Sequence, residues 1–156
     1  ALVIATGAYA WTLERELHWR NPTAIVTGAT NATSAGAGDR IAWQPWSTEA
    51  VTKARAEGRP VLVDFTANWC LTCQLNKKTS LEIDSVRAKL KAVNAVALLG
   101  DFTRKNPDIA AELKRFERAG VPLVLVYPKD ATKPPQILPV VLTPSIVLEA
   151  LDAAAK

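Results

Sequence analysis

Two cysteines, Cys70 and Cys73, are the only ones among 156 residues, and they stand three apart in Trp69-Cys70-Leu71-Thr72-Cys73. A thiol pair at this spacing can exchange disulfides, supply half of a zinc site, or close an inert bridge. A zinc site needs further ligands. The one histidine, His18, lies fifty-two residues upstream, and a carboxylate would have to complete the set. An inert bridge over so small a loop removes little chain entropy. The pair directly follows an apolar, β-rich run and opens a helical stretch, a context that favours redox work. A helix N-terminus brings partial positive charge and free N–H groups to Cys70, which stabilise its thiolate. A two-residue spacer puts both sulfurs in the first turn, where they can close a small disulfide. Cys70 is then expected at the exposed tip as the attacking thiolate. Cys73, one turn deeper, resolves the mixed disulfide.

Asp64 is the second chemical feature. It interrupts the apolar run Val61-Leu-Val-Asp-Phe65 six residues before Cys70, and period-two alternation does not explain it. Burial raises a carboxyl pKa, which makes Asp64 a proton acceptor and donor for the inner thiol. The alternative is a solvated acid at a strand end, but buried unpaired carboxylates are rare without a use.

The elements that must hold these residues follow from the pattern. Ile41–Trp46 supplies a short edge strand ended by Pro45. Ser47 caps a helix running through Glu57, with Gly58 as its stop. Val61–Phe65 is a strand buried on both faces, which implies a sheet covered by helices. Cys70–Lys78 opens the next helix, and Asp84 caps another with Val86, Leu90 and Val93 on its inner face. Ala95–Leu99 is a second buried strand. Asn106-Pro107 starts a helix with inner face Ile109, Leu113 and Phe116, which Gly120 ends. Val121–Tyr127 and Gln136–Val140 are strands around a turn at Pro128–Pro135. Thr143-Pro144 begins a last helix that buries Val147, Leu148 and Leu151. The order β-α-β-α-α-β-α-β-β-α indicates a three-layer α/β sandwich.

Composition narrows the classes. Apolar residues at 49% and charged residues at 22% argue against wholesale disorder. The net charge is +4, but basic residues come only in pairs such as Lys77-Lys78, which disfavours nucleic acid as a partner. Two cysteines cannot staple a mini-protein. With no methionine anywhere, the sequence reads as a processed or excised piece of a longer product. Residues 1–20 open with an uncharged run through Trp11, too short for the ~20 residues of a membrane span and without a signal peptide's positive flank. The run reads as the tail of a transmembrane helix; an amphipathic helix lying on the domain is the alternative. Residues 21–40, rich in Ala, Thr, Gly, Asn and Ser, read as a flexible linker, and 41–156 as the folded domain. Asn31-Ala-Thr33 matches a glycosylation acceptor, a pattern common by chance.

The stretch Val61-Leu-Val-Asp-Phe-Thr-Ala-Asn-Trp-Cys-Leu-Thr-Cys73 resembles the active-site segment of the thioredoxin superfamily, and Gly120-Val-Pro122 resembles that family's cis-proline loop. The longer passage from Asp101-Phe-Thr103 through a helix to Gly-x-Pro is similar to the C-terminal domain of the bacterial membrane thiol:disulfide interchange proteins, the DsbD family. The resemblance implies a thioredoxin-like α/β/α sandwich with a central mixed sheet. It makes Cys70 the attacking cysteine, Cys73 the resolving one and Asp64 the buried acid. Trp69 would flank the site, Pro122 would be cis, and the Val121 backbone would pair with a partner's extended segment. Three departures stand out. Lys77 occupies the place of the family's second acid, no lysine lies in Ala95–Leu99, and Leu123 follows the proline where threonine is commoner.

The function implied is a protein-disulfide reductase on the periplasmic side of the bacterial cytoplasmic membrane. The Cys70-Cys73 dithiol would be its whole redox equipment, with no cofactor and no metal. It would act as a monomeric domain, drawing electrons from the membrane core of its own parent chain. It would pass them to disulfide-containing periplasmic partners, themselves often thioredoxin-like. The rival readings are a disulfide oxidant or isomerase and a non-catalytic thioredoxin-fold binding module.

Overall fold

The structure is a computed structural model that describes residues 40–156. The expectations for 1–20 and the linker up to residue 39, with His18 and Asn31, lie outside the described residues. Among the described residues no helix is long and apolar enough to cross a membrane.

Among the described residues eleven segments follow in the order the pattern demands, with a π-helical turn added. They are β1 (Gln44–Pro45), α1 (Thr48–Ala56), β2 (Val61–Thr66), α2 (Leu71–Asn76) and a π-helical turn (Lys77–Leu81). Then follow α3 (Asp84–Ala92), β3 (Val96–Asp101), α4 (Pro107–Arg115), β4 (Leu123–Tyr127), β5 (Gln136–Ile137) and α5 (Pro144–Ala154). The sheet order is β1-β3-β2-β4-β5. β1, β3 and β2 run parallel, whereas β4 is antiparallel to both β2 and β5. β2 is the central strand, and all six of its residues are buried.

Alternation along β2 sorts side chains to two cores. Val61, Val63 and Phe65 join Val51 and Ala54 of α1 with Ile109 and Leu113 of α4. Leu62 joins Leu81 of the π turn, Val86 and Leu90 of α3, and Val147 and Leu151 of α5. This is the three-layer sandwich with a central mixed sheet. Asp64, two residues after Leu62, falls on the second face.

Local signals set most boundaries. Ser47 Oγ accepts the Ala50 N–H at 3.0 Å and caps α1, and Asn106 Oδ1 accepts the Asp108 N–H at 2.8 Å ahead of Pro107. Some boundaries differ from expectation. Asp84 is the first helical residue rather than the cap, a place held by Ile83, and its carboxylate pairs with Arg87. Gly120 does not stop α4. The helix ends at Arg115, and Glu117 takes the left-handed conformation (φ 56°) one residue past the Phe116 cap. The Glu117 and Arg118 N–H groups then bond to Lys114 and Leu113, which satisfies the last carbonyls before Gly120 is reached. Val93, Phe116 and Leu148 are half-buried rather than core. β4 starts at Leu123 because Pro122 has no N–H for the ladder.

Candidate redox site

The site is built where β2 runs out. The Cys70 N–H donates to the Ala67 carbonyl at 3.1 Å, and the Gln74 side-chain amide reaches the same carbonyl at 3.1 Å. These bonds turn the chain from strand into α2. Cys70 is the N-cap of that helix. Its Sγ accepts the Cys73 N–H at 3.2 Å, so the sulfur satisfies a backbone donor that the helix leaves unpaired. Cys70 and Cys73 are disulfide-bonded across a Cα–Cα distance of 5.3 Å.

Cys70 is less exposed than expected. It is 8% accessible against 2% for Cys73, because its sulfur is folded back over the first turn. The exposed surface around it belongs to Trp69 and Leu71, 54% and 86% accessible, with Leu75 one turn beyond. Trp69 is held in place. Its Nε1–H donates to the Thr103 carbonyl at 3.2 Å, and its ring lies 6.5 Å from that of Phe102. Thr103 Oγ1 also accepts the Asn68 N–H, and the Thr103 N–H donates to Asp101 Oδ1.

Thr103, Phe102 and Gln74 therefore position the site, although the sequence reading assigned them no role. The one local signal was Asp101-x-Thr103, a spacing that builds a turn through the aspartate side chain.

Asp64 is 2% accessible, and its Oδ2 is buried with no hydrogen-bond partner among the described residues. Burial raises its pKa to about 7, and the charge of Lys77 works against that rise. Its neighbours across the sheet are Leu99 of β3 and Val124 of β4, neither of which can compensate a charge. Asp64 occupies the face opposite the core that Cys70 and Cys73 join. The Val121–Pro122 peptide is cis, and Val121 packs against the same core as both cysteines. Among the described residues no group of three or more His, Cys, Asp or Glu could hold a metal ion.

A redox-capable cysteine pair at the start of a helix, on a five-stranded mixed sheet between two helical layers, defines a thioredoxin-like protein. The thioredoxin-like family matches residues 42–129, more than half of the chain, and the protein belongs to it. It is similar to the thiol:disulfide interchange protein DsbD of Ralstonia nicotianae, 38% identical over 87 residues that make up 56% of this chain and 14% of that protein. DsbD 1 of Pseudomonas aeruginosa is 32% identical over 90 residues, 54% of this chain and 15% of that protein. The chain thus spans about a seventh of the length of these relatives.

The fold matches a Thermus thermophilus thioredoxin with a TM-score of 0.58 at 23% identity, over 73% of this chain and 86% of that one. It also matches the oxidised C-terminal domain of Neisseria meningitidis DsbD with a TM-score of 0.55 at 22% identity, over 71% and 98%.

Proposed function

We propose that the protein is a thiol-disulfide oxidoreductase working as a reductase on the periplasmic side of a bacterial cytoplasmic membrane. Its electrons come from the membrane core of a longer parent chain, and its partners are oxidised periplasmic proteins, thioredoxin-like ones among them. The observation that carries this reading is Cys70 at the N-cap of α2, bonded to Cys73 and flanked by exposed Trp69 and Leu71.

In the reduced protein the N–H groups at the start of α2 stabilise a Cys70 thiolate. That thiolate attacks the partner disulfide, and one partner sulfur leaves as a thiolate. Cys73 then attacks Cys70, closing the internal disulfide and releasing the second partner thiol. Asp64 takes the proton that Cys73 gives up. The apolar rim receives the partner, and the backbone at Val121, just ahead of the β4 ladder, pairs with an extended partner segment.

The test is covalent trapping. Cys70→Ala should abolish turnover, and Cys73→Ala should accumulate a mixed disulfide visible under non-reducing conditions. If Cys73→Ala accumulates no adduct, the order of attack is wrong. Equilibration against glutathione buffers separates a reductase from an oxidant. The reductase reading expects a potential nearer to thioredoxin's, about −270 mV, than to a strong oxidant's, about −120 mV.

A further inference from the structure

A surface cleft of about 530 Å³ opens beside α2, lined by Arg40, Gln74, Lys77, Lys78, Glu82 and Arg87. Gln74 joins it to the redox site. Its backbone N–H donates to the Cys70 carbonyl at 3.1 Å, and its side-chain amide holds the Ala67 carbonyl of the same turn. The cleft therefore begins one helical turn past the attacking cysteine. Neighbouring residues of a regular α-helix do not share a face. At Lys77, however, α2 gives way to the π-helical turn, and both Lys77 and Lys78 line the cleft. Breaks of this kind are frequent at functional sites.

Four cations line the cleft against one carboxylate, and that carboxylate is engaged. Glu82 Oε1 accepts the Trp43 Nε1–H at 2.6 Å, and Glu82 Oε2 accepts the Ile41 N–H at 3.1 Å. Lys77 is half-buried, with its Nζ 5.8 Å from the centroid of the Trp43 ring that Glu82 fixes. Arg87 donates to the Glu82 carbonyl at 2.8 Å and pairs with Asp84. Arg40 and Lys78 are exposed, and neither forms an ion pair among the described residues. Glu82 and Asp84 offset two of the four charges, so the cleft keeps a net positive field.

A helix rises about 1.5 Å per residue, so Lys78 stands about 12 Å along the axis from Cys70. An extended peptide covers that distance in about four residues. We propose that the cleft receives an acidic segment of the partner protein, an Asp- or Glu-bearing stretch about four residues from the cysteine that Cys70 attacks. The inference rests on the reductase reading given under the proposed function and adds to it the charge of the partner. The positive cleft raises the rate at which acidic partners meet Cys70 and disfavours basic ones. A membrane of anionic lipid offers the same sign of charge. Seated on this cleft, however, it would cover the cysteine turn one helical turn away and close the site to disulfides.

The test uses the reduced full chain and two synthetic peptides, each with its one cysteine activated as a mixed disulfide with an aromatic thiol. One peptide carries a run of Glu about four residues from the cysteine, and the other carries Lys there. Cys70 attacks the peptide sulfur, the aromatic thiolate leaves and reports the rate, and Cys73 then displaces the peptide thiol. With each rate taken relative to that of dithiothreitol, the acidic peptide should react about tenfold faster than the basic one at low salt. Added salt should close the gap. Arg40→Glu with Lys78→Glu should bring the acidic-to-basic ratio to one or below. Lys91→Glu with Lys129→Glu, an equal charge change at exposed positions outside the cleft, should leave it as it was. Because the ratio is taken within one variant, the fraction folded cancels. A parent ratio of one, or a ratio that the cleft variant keeps, overturns the proposal. So does binding to phosphatidylglycerol vesicles through Arg40 and Lys78 in a chain with no peptide preference, which would give the cleft to the membrane. Should neither peptide react, the reductase reading has failed. The acidic peptide with serine in place of cysteine then decides the cleft: it moves the Lys77 and Lys78 amide resonances of the oxidised chain or, against the proposal, leaves them unmoved.

Discussion

The ring of Phe65 occupies the space that a Cβ on Gly100 would need, with its nearest carbon 2.3 Å from that position. The two residues are register partners on β2 and β3, and Phe65 also packs edge-on against Trp46 at 4.9 Å. Glycine here is a packing requirement rather than a turn signal, and it lets the strand ahead of the cysteine loop carry an aromatic. Gly100→Ala must displace the ring or the strand, since a core packed this closely has no room for a methyl group. A loss of about 1–3 kcal/mol is expected from urea unfolding at constant m-value. An unchanged midpoint would show that the ring moves aside freely.

Asn76 ties the active-site helix to the segment before α5. Its buried amide donates to the Val140 carbonyl at 2.7 Å and accepts the Leu142 N–H at 3.0 Å. Asn76→Ala removes both partners and leaves two backbone groups unpaired, at a cost of about 2–4 kcal/mol. Hydrogen exchange gives the specific check. The Leu142 amide should lose protection by more than residues of β3 do, whereas a uniform loss across the domain would mean that Asn76 only adds global stability.

The sandwich and its redox pair were legible because their signals are local. Cys70 and Cys73 follow a doubly buried strand, Ser47 and Asn106 cap helices, and Val61–Phe65 reads as β from its own residues. What stayed hidden depends on the other side of a contact. Gly100 and Asp101 extend β3 although both are poor strand formers, because Phe65 needs the first and Thr103 engages the second. Thr103 holds Trp69 across a gap of 34 residues, which periodicity cannot see. Lys77 read as a departure from the family pattern, and its ammonium lies near the Trp43 ring, a contact between distant segments that periodicity cannot see.

The ends of three helices make a comparison within one molecule. α1, α3 and α4 each close with paired bonds from the two residues after the cap, and the left-handed residue is Gly58, Asn94 and Glu117 respectively. Glycine adopts that conformation without penalty, asparagine tolerates it, and glutamate is strained there. Glu117 is exposed, and among the described residues its side chain makes no hydrogen bond or ion pair that would offset the strain. Glu117→Gly should therefore stabilise the fold by about 0.5–1 kcal/mol, read as a raised melting temperature. The same change at Asn94 should give less, and equal gains at both sites would remove the strain argument.

Asp64 should make the folded chain less stable as pH rises, the reverse of the usual carboxylate. Burial lifts its pKa from 3.8 to about 7 in the folded state. Below about pH 4 both folded and unfolded chains hold the proton, and the stabilisation is fully present. Between about 4 and 7 the unfolded chain has released it and the folded chain has not, so each pH unit removes about 1.4 kcal/mol. Above about 7 both states are ionised and the loss is complete, on the order of 4 kcal/mol for the whole window. Asp64→Asn cannot ionise, so its contribution is flat. In the oxidised protein, where no thiol interferes, the variant should gain on the parent in urea by several kcal/mol between pH 4 and pH 8. The difference between the two pH values is the quantity to read, because any misfit of the asparagine amide is common to both. Parallel stability curves for parent and variant would mean that Asp64 is ionised at little cost, and a carboxylate so easily charged would not be poised to exchange a proton with Cys73 near neutral pH.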